Sequence, residues 1–490
     1  MPGLVGARRV FHSARWSMTA KLASTGLKFL TVPIFARLLE PAEFGVVAVS
    51  MTIVVFATIF GGAGLASWLV IAKDEDPVAV DTAFWSCTVS AVLFGGLVFL
   101  LSEPLAGLLG APEASPILAV LAALLPLTLI AGLPTALLSR RMQFDRLAWN
   151  DIAGEGIGTA AAIAAAFAGW GAWALVVQLF VSATVKLPLL MLHARYRPRL
   201  HFSLERLRAM LGYSSQVVLA DLFFFLTFQS PTVVITRLVG LSAAGIHSVA
   251  NRFAELPIQV VQIGIMNVLF PTFATMAEDL PRRTQALLRS TRFTTALLTP
   301  MMFGMWAVSE PLMSVVFGVR WADSWQILGL MALSKGILIP CACFIPFLKG
   351  VARSDILWMT GLGRAVLVIA ATTVGALTYG LIGACVALAG VSVVVLLGYS
   401  LVVFRTAGIG FVDGYRSFIG PYLSAIVMAV GVRAFLDHTG TVIEGNVERL
   451  ALGITMGVFV YATLALLLHR DLLATALLMM RKASARPEQT

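Results

Sequence analysis

Residues 150–192 read NDIAGEGIGTAAAIAAAFAGWGAWALVVQLFVSATVKLPLLML. Two acids, Asp151 and Glu155, stand near the start, and one base, Lys186, interrupts the second half. A helix needs about 20 apolar residues to cross the hydrocarbon of a bilayer, and this stretch holds two such runs. Gly169-Trp170-Gly171 divides them. Glycine tolerates the backbone of a tight turn, and Trp favours the lipid–water interface. The stretch therefore reads as two membrane helices, 150–169 and 172–192, joined by a hairpin turn. Strands of a membrane barrel would be shorter and would alternate in polarity.

The rest of the chain repeats the pattern. Hydrophobic residues make up 59% of the 490 positions and charged residues 12%, where soluble domains carry about 25% charge. Mean hydropathy is +0.91. So few charges cannot cover the water-facing surface of a soluble chain this long, which excludes a soluble enzyme, a nucleic-acid-binding protein and a disordered chain. A membrane-length window gives fourteen expected spans: 13–37, 44–72, 82–102, 116–138, 150–169, 172–192, 213–237, 246–271, 293–317, 324–348, 357–378, 380–404, 417–436 and 450–469. The chain is thus expected to be an all-α polytopic membrane protein. Cys87, Cys341, Cys343 and Cys385 all lie in apolar runs and read as small hydrophobes, without a disulfide framework or a metal site. The basic N-terminus lacks the apolar core and cleavage site of a removable leader.

The net charge of +10 reads as topology rather than as nucleic-acid affinity. Alternating the spans places Arg8, Arg9 and Arg15, then Arg140, Arg141 and Arg146, on one side of the membrane. The clusters Arg195–Arg208, Arg282–Arg292 and Arg481–Arg486 follow on that same side. The opposite side holds Arg37, Arg237, Arg320, Arg433 and Arg449. Basic residues gather at the cytoplasmic face, so both termini are expected inside. The stretch 471–482 is amphipathic and is expected along the inner surface.

An internal duplication is visible. FARLLEPAEFGVVAVS (35–50) and ITRLVGLSAAGIHSVA (235–250) share Arg-Leu followed, after six residues, by Gly. A fainter echo pairs SRRMQFDRLAW (139–149) with LKGVARSDILW (348–358). Spans one to six and seven to twelve then form two six-helix bundles of the same orientation, a parallel repeat with a cleft as the substrate path. The expected organisation is a first bundle at 1–192, a cytoplasmic linker at 193–212, a second bundle at 213–404, two further spans at 405–470 and a cytoplasmic tail at 471–490.

Ionisable groups at membrane depth are costly and tend to mark pathways. Ser17, Lys21, Ser24 and Lys28 recur at helical spacing on one face of the first span, with Lys28 roughly 10 Å deeper than Lys21 at 1.5 Å per residue. Arg252, Glu255, Gln259 and Gln262 form a second stripe in the eighth span. Lys21, Ser24, Lys28, Arg252 and Gln259 are the candidate substrate-binding residues, suited to an anion. Asp221 and Glu255 are the candidate ion-coupling groups. Asp151 and Glu155 read as acids favoured by a helix N-terminus, and Lys186, Lys335 and Arg364 as snorkelling or structural cations. No phosphate-cradling G-x-x-x-x-G-K-[ST] and no H-E-x-x-H occurs, so no ATP hydrolysis, catalytic residue, metal or cofactor is expected.

PTALLSRRMQFDRLAW (134–149), GWGAWALVVQLF (169–180), LMSVVFGVRWADSWQIL (312–328) and the first copy of the repeat carry a family resemblance. From about residue 10 to about 405 the chain resembles the lipopolysaccharide-exporter branch of the bacterial polysaccharide flippases. These are the Wzx type of the multidrug/oligosaccharidyl-lipid/polysaccharide exporter superfamily. The resemblance implies two six-helix bundles in a V, often with fourteen spans, in the bacterial inner membrane. It implies alternating access that moves an undecaprenyl-diphosphate-linked oligosaccharide outward, driven by an ion gradient. Expected partners are that lipid-linked oligosaccharide, the surrounding lipids, and a polysaccharide polymerase with its chain-length machinery, but no nucleic acid. A drug or organic-cation antiporter of the same fold would want acidic cavity walls. A membrane polymerase or ligase would want large outside loops. The stripes here favour positive charge and the outside loops are short, so the antiporter stands as the alternative to the flippase.

Overall fold

The computed structural model describes residues 26, 31–62, 64–71, 76–276, 279–351, 353–439, 443 and 445–468. Among these, regular structure is helical throughout. Lys21, Ser24 and Lys28 lie outside the described residues, as does the amphipathic stretch 471–482. A helical stretch, 31–38, is followed in chain order by α1 (Pro41–Gly62), α2 (Pro77–Leu100), α3 (Leu124–Arg140), α4 (Phe144–Phe167), α5 (Ala172–Ala194), α6 (Leu204–Leu238) and α7 (Leu241–Thr275). Then come α8 (Leu280–Ala307), α9 (Trp325–Ile337), α10 (Cys341–Gly350), α11 (Ser354–Ala407), α12 (Phe411–Thr439) and α13 (Asn446–Leu468).

Helix starts follow the sequence. Asp76 caps α2, its carboxylate accepting the Val78 N–H at 3.0 Å, with proline at the next position. Asp279 does the same for α8 through the Arg282 N–H at 3.1 Å. Such caps satisfy donors that the first helical turn leaves open. Expected span boundaries become breaks where proline and glycine intervene. Between α4 and α5, Gly169 and Gly171 take φ of +79° and +54°, and Trp170 stands exposed in the turn. α11 contains a break at Tyr379–Gly380 that leaves two helical arms.

Several expected single spans are interrupted. The second is split after Gly62, with a separate turn of helix at Leu65–Ile71. The fourth is bent by 44° between Pro112–Ala122 and α3. The tenth divides into α9 and α10 at Leu338–Pro340, since proline removes a ladder bond and crowds the preceding turn. α8 turns by 78° into Ser309–Phe317, where Pro311 follows closely. Among the described residues eight helices are long and apolar enough to cross a membrane, or ten if each bent pair is one span. Large apolar side chains remain on the surface, including Leu100 at 77%, Phe167 at 72% and Phe459 at 73% exposed. Only a hydrocarbon surrounding tolerates so much exposed apolar area.

The chain divides into two compact units. The first comprises residues 1–256 with 358–387, and the second 257–357 with 388–490. In the first, α4 and α5 pack along their length, with Gly158 against the Gln178 carbonyl and Ser182. A core of Leu65, Leu69, Ala83, Phe84, Leu133 and Leu137 joins α2 to α3. The arginines expected in the loops finish helix C-termini: Arg140 donates to Leu69 O at 2.8 Å, Arg141 to Ala194 O at 2.6 Å, and Arg146 to His193 O at 2.7 Å. Segment 195–203 is fastened to α2. The Tyr196 hydroxyl donates to Asp81 at 2.7 Å, and Trp85 Nε1 donates to Arg199 O at 2.8 Å.

The duplicated motifs meet within this unit. Gly45 of α1 and Gly245 of α7 face each other so closely that a Cβ on Gly45 would overlap the Leu241 carbonyl. A Cβ on Gly245 would overlap the Pro41 carbonyl. The contact is reciprocal, each copy's glycine receiving the other copy's helix start. Arg237, in the second copy, donates to the Leu108 carbonyl.

In the second unit, α12 packs on α8 around Leu298, Met302, Phe303, Ala425, Met428 and Val432. The Tyr422 hydroxyl donates to the Gly336 and Ile337 carbonyls at 2.9 and 2.8 Å. The Tyr461 hydroxyl, on α13, reaches Ala296 O at 2.7 Å. Glu310 accepts from Arg433 and Arg449 at 3.4 and 3.3 Å, and Arg433 lies 4.5 Å over the Trp325 ring. The last two helices, an addition to the repeat by sequence, thus supply part of this unit's core.

Candidate functional site

The polar residues of the expected eighth span fall along α7. Arg252 is exposed on α7. Phe253 and Ala254 beside it are buried at 1% and 0% exposure, so the helix presents Arg252 on one face and packs on the other. Glu255, three residues on, is half-buried. Gln259 is exposed and belongs to the second unit. Asp221 is exposed on α6 in the first unit.

Glu155 of α4 pairs with Lys186 of α5, Oε1 to Nζ at 3.0 Å, while Asp151 lies 3.5 Å from the same ammonium. The Glu155 and Lys186 side chains are only 18% and 22% exposed, against 60% for Asp151. The inner pair therefore sits in a low-dielectric setting, where removal of one partner is costly. Gly154 makes the approach possible: a Cβ there would fall 2.6 Å from Lys186 Cε and overlap the rest of the stem.

By sequence these three residues are separate features, two acids at a helix start and one snorkelling base. The structure brings them together. The signal was present in the hairpin, because Glu155 and Lys186 lie almost equally far before and after Trp170. Residues equidistant from a tight turn in antiparallel helices reach the same depth. Arg364, read as a lone cation, stacks 5.2 Å over the Phe228 ring, one helical face along from Asp221 and Phe224. An apolar groove of about 520 Å³ runs beside the Tyr379–Gly380 break, lined by Val374, Ile382 and Val386 among others. It lies on the same unit but carries none of the charged groups.

Comparison with known proteins places this geometry. A family described as polysaccharide biosynthesis protein matches residues 34–326. The succinoglycan biosynthesis transport protein ExoT of Rhizobium meliloti (strain 1021) is 45% identical over 486 residues, 99% of this chain and 98% of that one. The lipopolysaccharide biosynthesis protein WzxC of Escherichia coli (strain K12) is 23% identical, covering 84% of this chain and 83% of its own. Among solved structures, the lipid II flippase MurJ in an inward closed conformation is similar in fold, with a TM-score of 0.75 at 14% identity, over 93% of this chain and 99% of that chain.

Proposed function

The chain belongs to the polysaccharide biosynthesis protein family, and from that membership we propose that it is a Wzx-type flippase. It carries an undecaprenyl-diphosphate-linked oligosaccharide, a precursor of a surface polysaccharide, across the bacterial inner membrane. The observation that carries the reading is Arg252, a cation exposed on α7 beside the buried Phe253 and Ala254. A diphosphate has the charge to engage it, and the isoprenoid tail can remain in lipid. The 45% identity to a succinoglycan biosynthesis transport protein points to the repeat unit of a surface polysaccharide as the cargo class.

In this reading both termini face the cytoplasm and fourteen spans cross the bilayer. Two duplicated six-helix halves, 1–192 and 213–404, form the transport body. Lys21, Ser24, Lys28, Arg252 and Gln259 receive the headgroup. Asp221 and Glu255 couple its movement to an ion gradient. Only a difference in affinity between inward-open and outward-open states can shift the population from one to the other. A polymerase with its chain-length machinery takes the product on the far side, and the chain itself makes or breaks no covalent bond.

Deleting the gene tests the function. Lipid-linked oligosaccharide should accumulate on the inner leaflet, resistant to periplasmic trimming enzymes, and surface polysaccharide should fall. Export at the parental level would contradict the reading.

A further inference from the structure

α6 carries four phenylalanines within two turns, at 223, 224, 225 and 228. Phe223 packs toward Gly361 of α11, where an added Cβ would lie 3.9 Å from its own. Phe225 meets Phe56 of α1, ring centroids 5.3 Å apart. Phe224 and Phe228, one turn apart, lean on each other at 4.3 Å. The Phe228 ring also carries the Arg364 guanidinium of α11, 5.2 Å from its centroid. Asp221 precedes Phe224 by one turn, on the same side of the helix. The result is a strip within one compact unit: a carboxylate, an open phenyl ring, a second ring and a guanidinium. Phe224 is 65% exposed and Phe228 40%.

Open phenyl rings are ordinary on a helix that faces lipid, as Phe459 of α13 is. Phe459, however, has no charged residue within a turn on either side. Asp221 and Arg364 set the α6 strip apart, because charge at membrane depth is turned away from hydrocarbon and toward a pathway. An isoprenoid tail would have no use for either charge, and a diphosphate would be repelled by Asp221. A sugar fits both features. A pyranose with equatorial hydroxyls offers C–H groups to the negative face of a phenyl ring. Its hydroxyls, at the rim, can donate to a carboxylate and accept from a guanidinium. We propose that Phe224, Phe228 and Arg364, with Asp221 at the edge, form a subsite for the sugar chain of the lipid-linked oligosaccharide, with the Phe224 ring as its stacking platform. The inference rests on the reading of the cargo as a glycosylated lipid, and it assigns the sugar to groups other than Arg252.

The full chain in lipid nanodiscs is titrated with two probes, undecaprenyl diphosphate and undecaprenyl diphosphate bearing a β-linked glucose trisaccharide. The parent should bind the glycosylated probe more tightly. Phe224→Leu, which stays apolar but loses the ring, should weaken that probe about tenfold and leave the bare one unchanged. Phe224→Trp should keep the preference, since a ring face remains. Phe459→Leu should move neither probe. Thermal unfolding identifies any variant that does not fold, and should Phe224→Leu be one, Phe228→Leu carries the same comparison. Equal shifts for both probes, no shift for either, or a parent without preference for the glycosylated probe each overturn the inference. Arg252→Gln separates it from the reading beneath. If that variant weakens both probes while Phe224→Leu does not discriminate between them, only the sugar subsite fails. If the parent binds neither probe, the flippase reading falls and the subsite with it.

Discussion

Gly154 is a position where a single methyl group decides a site. The Lys186 stem occupies the space of its missing Cβ, so Gly154→Leu must push Lys186 away from Glu155. Overpacking of this kind costs about 1–3 kcal/mol, and a lowered thermal midpoint with reduced export is the expected outcome. Gly96 and Gly156 have open space around the same position, and alanine there should leave the midpoint within about 0.5 kcal/mol of the parent. Tyr196, outside the membrane spans, gives a second test. Burial first, and then the hydrogen bond to Asp81 and its charge, push the phenol well above its ordinary value of 10.0. A raised folded value means the contribution is complete below the unfolded phenol's value, about 10, and is lost as pH climbs above it. Tyr196→Phe should therefore lower thermal stability between pH 7 and 9, by about 1 kcal/mol for one hydrogen bond. The gap to the parent should narrow above pH 10. A gap independent of pH would show that the Tyr196–Asp81 bond contributes nothing.

At the scale of helices, the duplicated glycines make a reciprocal contact. Gly45→Leu and Gly245→Leu should each disturb the crossing of α1 and α7, with similar losses of folded protein and of export. If one is silent and the other severe, the crossing is not the symmetric element its sequence suggests. This contact was half legible beforehand. The repeat of Arg-Leu and Gly at 37–45 and 237–245 was visible in the letters, but close approach of two backbones leaves no hydrophobic period to read. Apolar runs marked most helices because a bilayer demands length and little else. They could not mark the breaks inside runs, such as Leu338–Pro340 or the 78° turn after α8, where apolar composition continues through the bend. The charged group at Asp151, Glu155 and Lys186 stayed hidden for another reason: each residue has an ordinary local explanation, and only register across the Gly169–Gly171 turn joins them. The pairing of α12 with α8 was illegible as well, since helix–helix contacts in lipid rest on small residues and shape rather than on polarity.

Across the whole molecule, the distribution of basic residues predicts an orientation that labelling can check. The natural cysteines Cys87, Cys341, Cys343 and Cys385 are buried, so a new cysteine at an exposed turn should dominate the reaction with an impermeant thiol reagent. Trp170→Cys in the exposed α4–α5 turn should react from outside intact cells. Met142→Cys, in the exposed basic turn before α4, should react only after the membrane is opened. The reverse pattern would invert the topology and place the cytoplasmic clusters on the wrong side.

The charge arrangement and the family together make a claim about movement of a lipid diphosphate, and transport by the purified chain measures it most directly. Proteoliposomes loaded with a fluorescent undecaprenyl-diphosphate oligosaccharide, asymmetrically accessible to an added phosphatase or glycosidase, report transfer between leaflets. The parent chain should bring the inner-leaflet pool into reach, and Arg252→Gln should slow this at least tenfold, a loss of about 1.4 kcal/mol in the barrier. Equal transfer by empty liposomes, parent and Arg252→Gln would contradict the account.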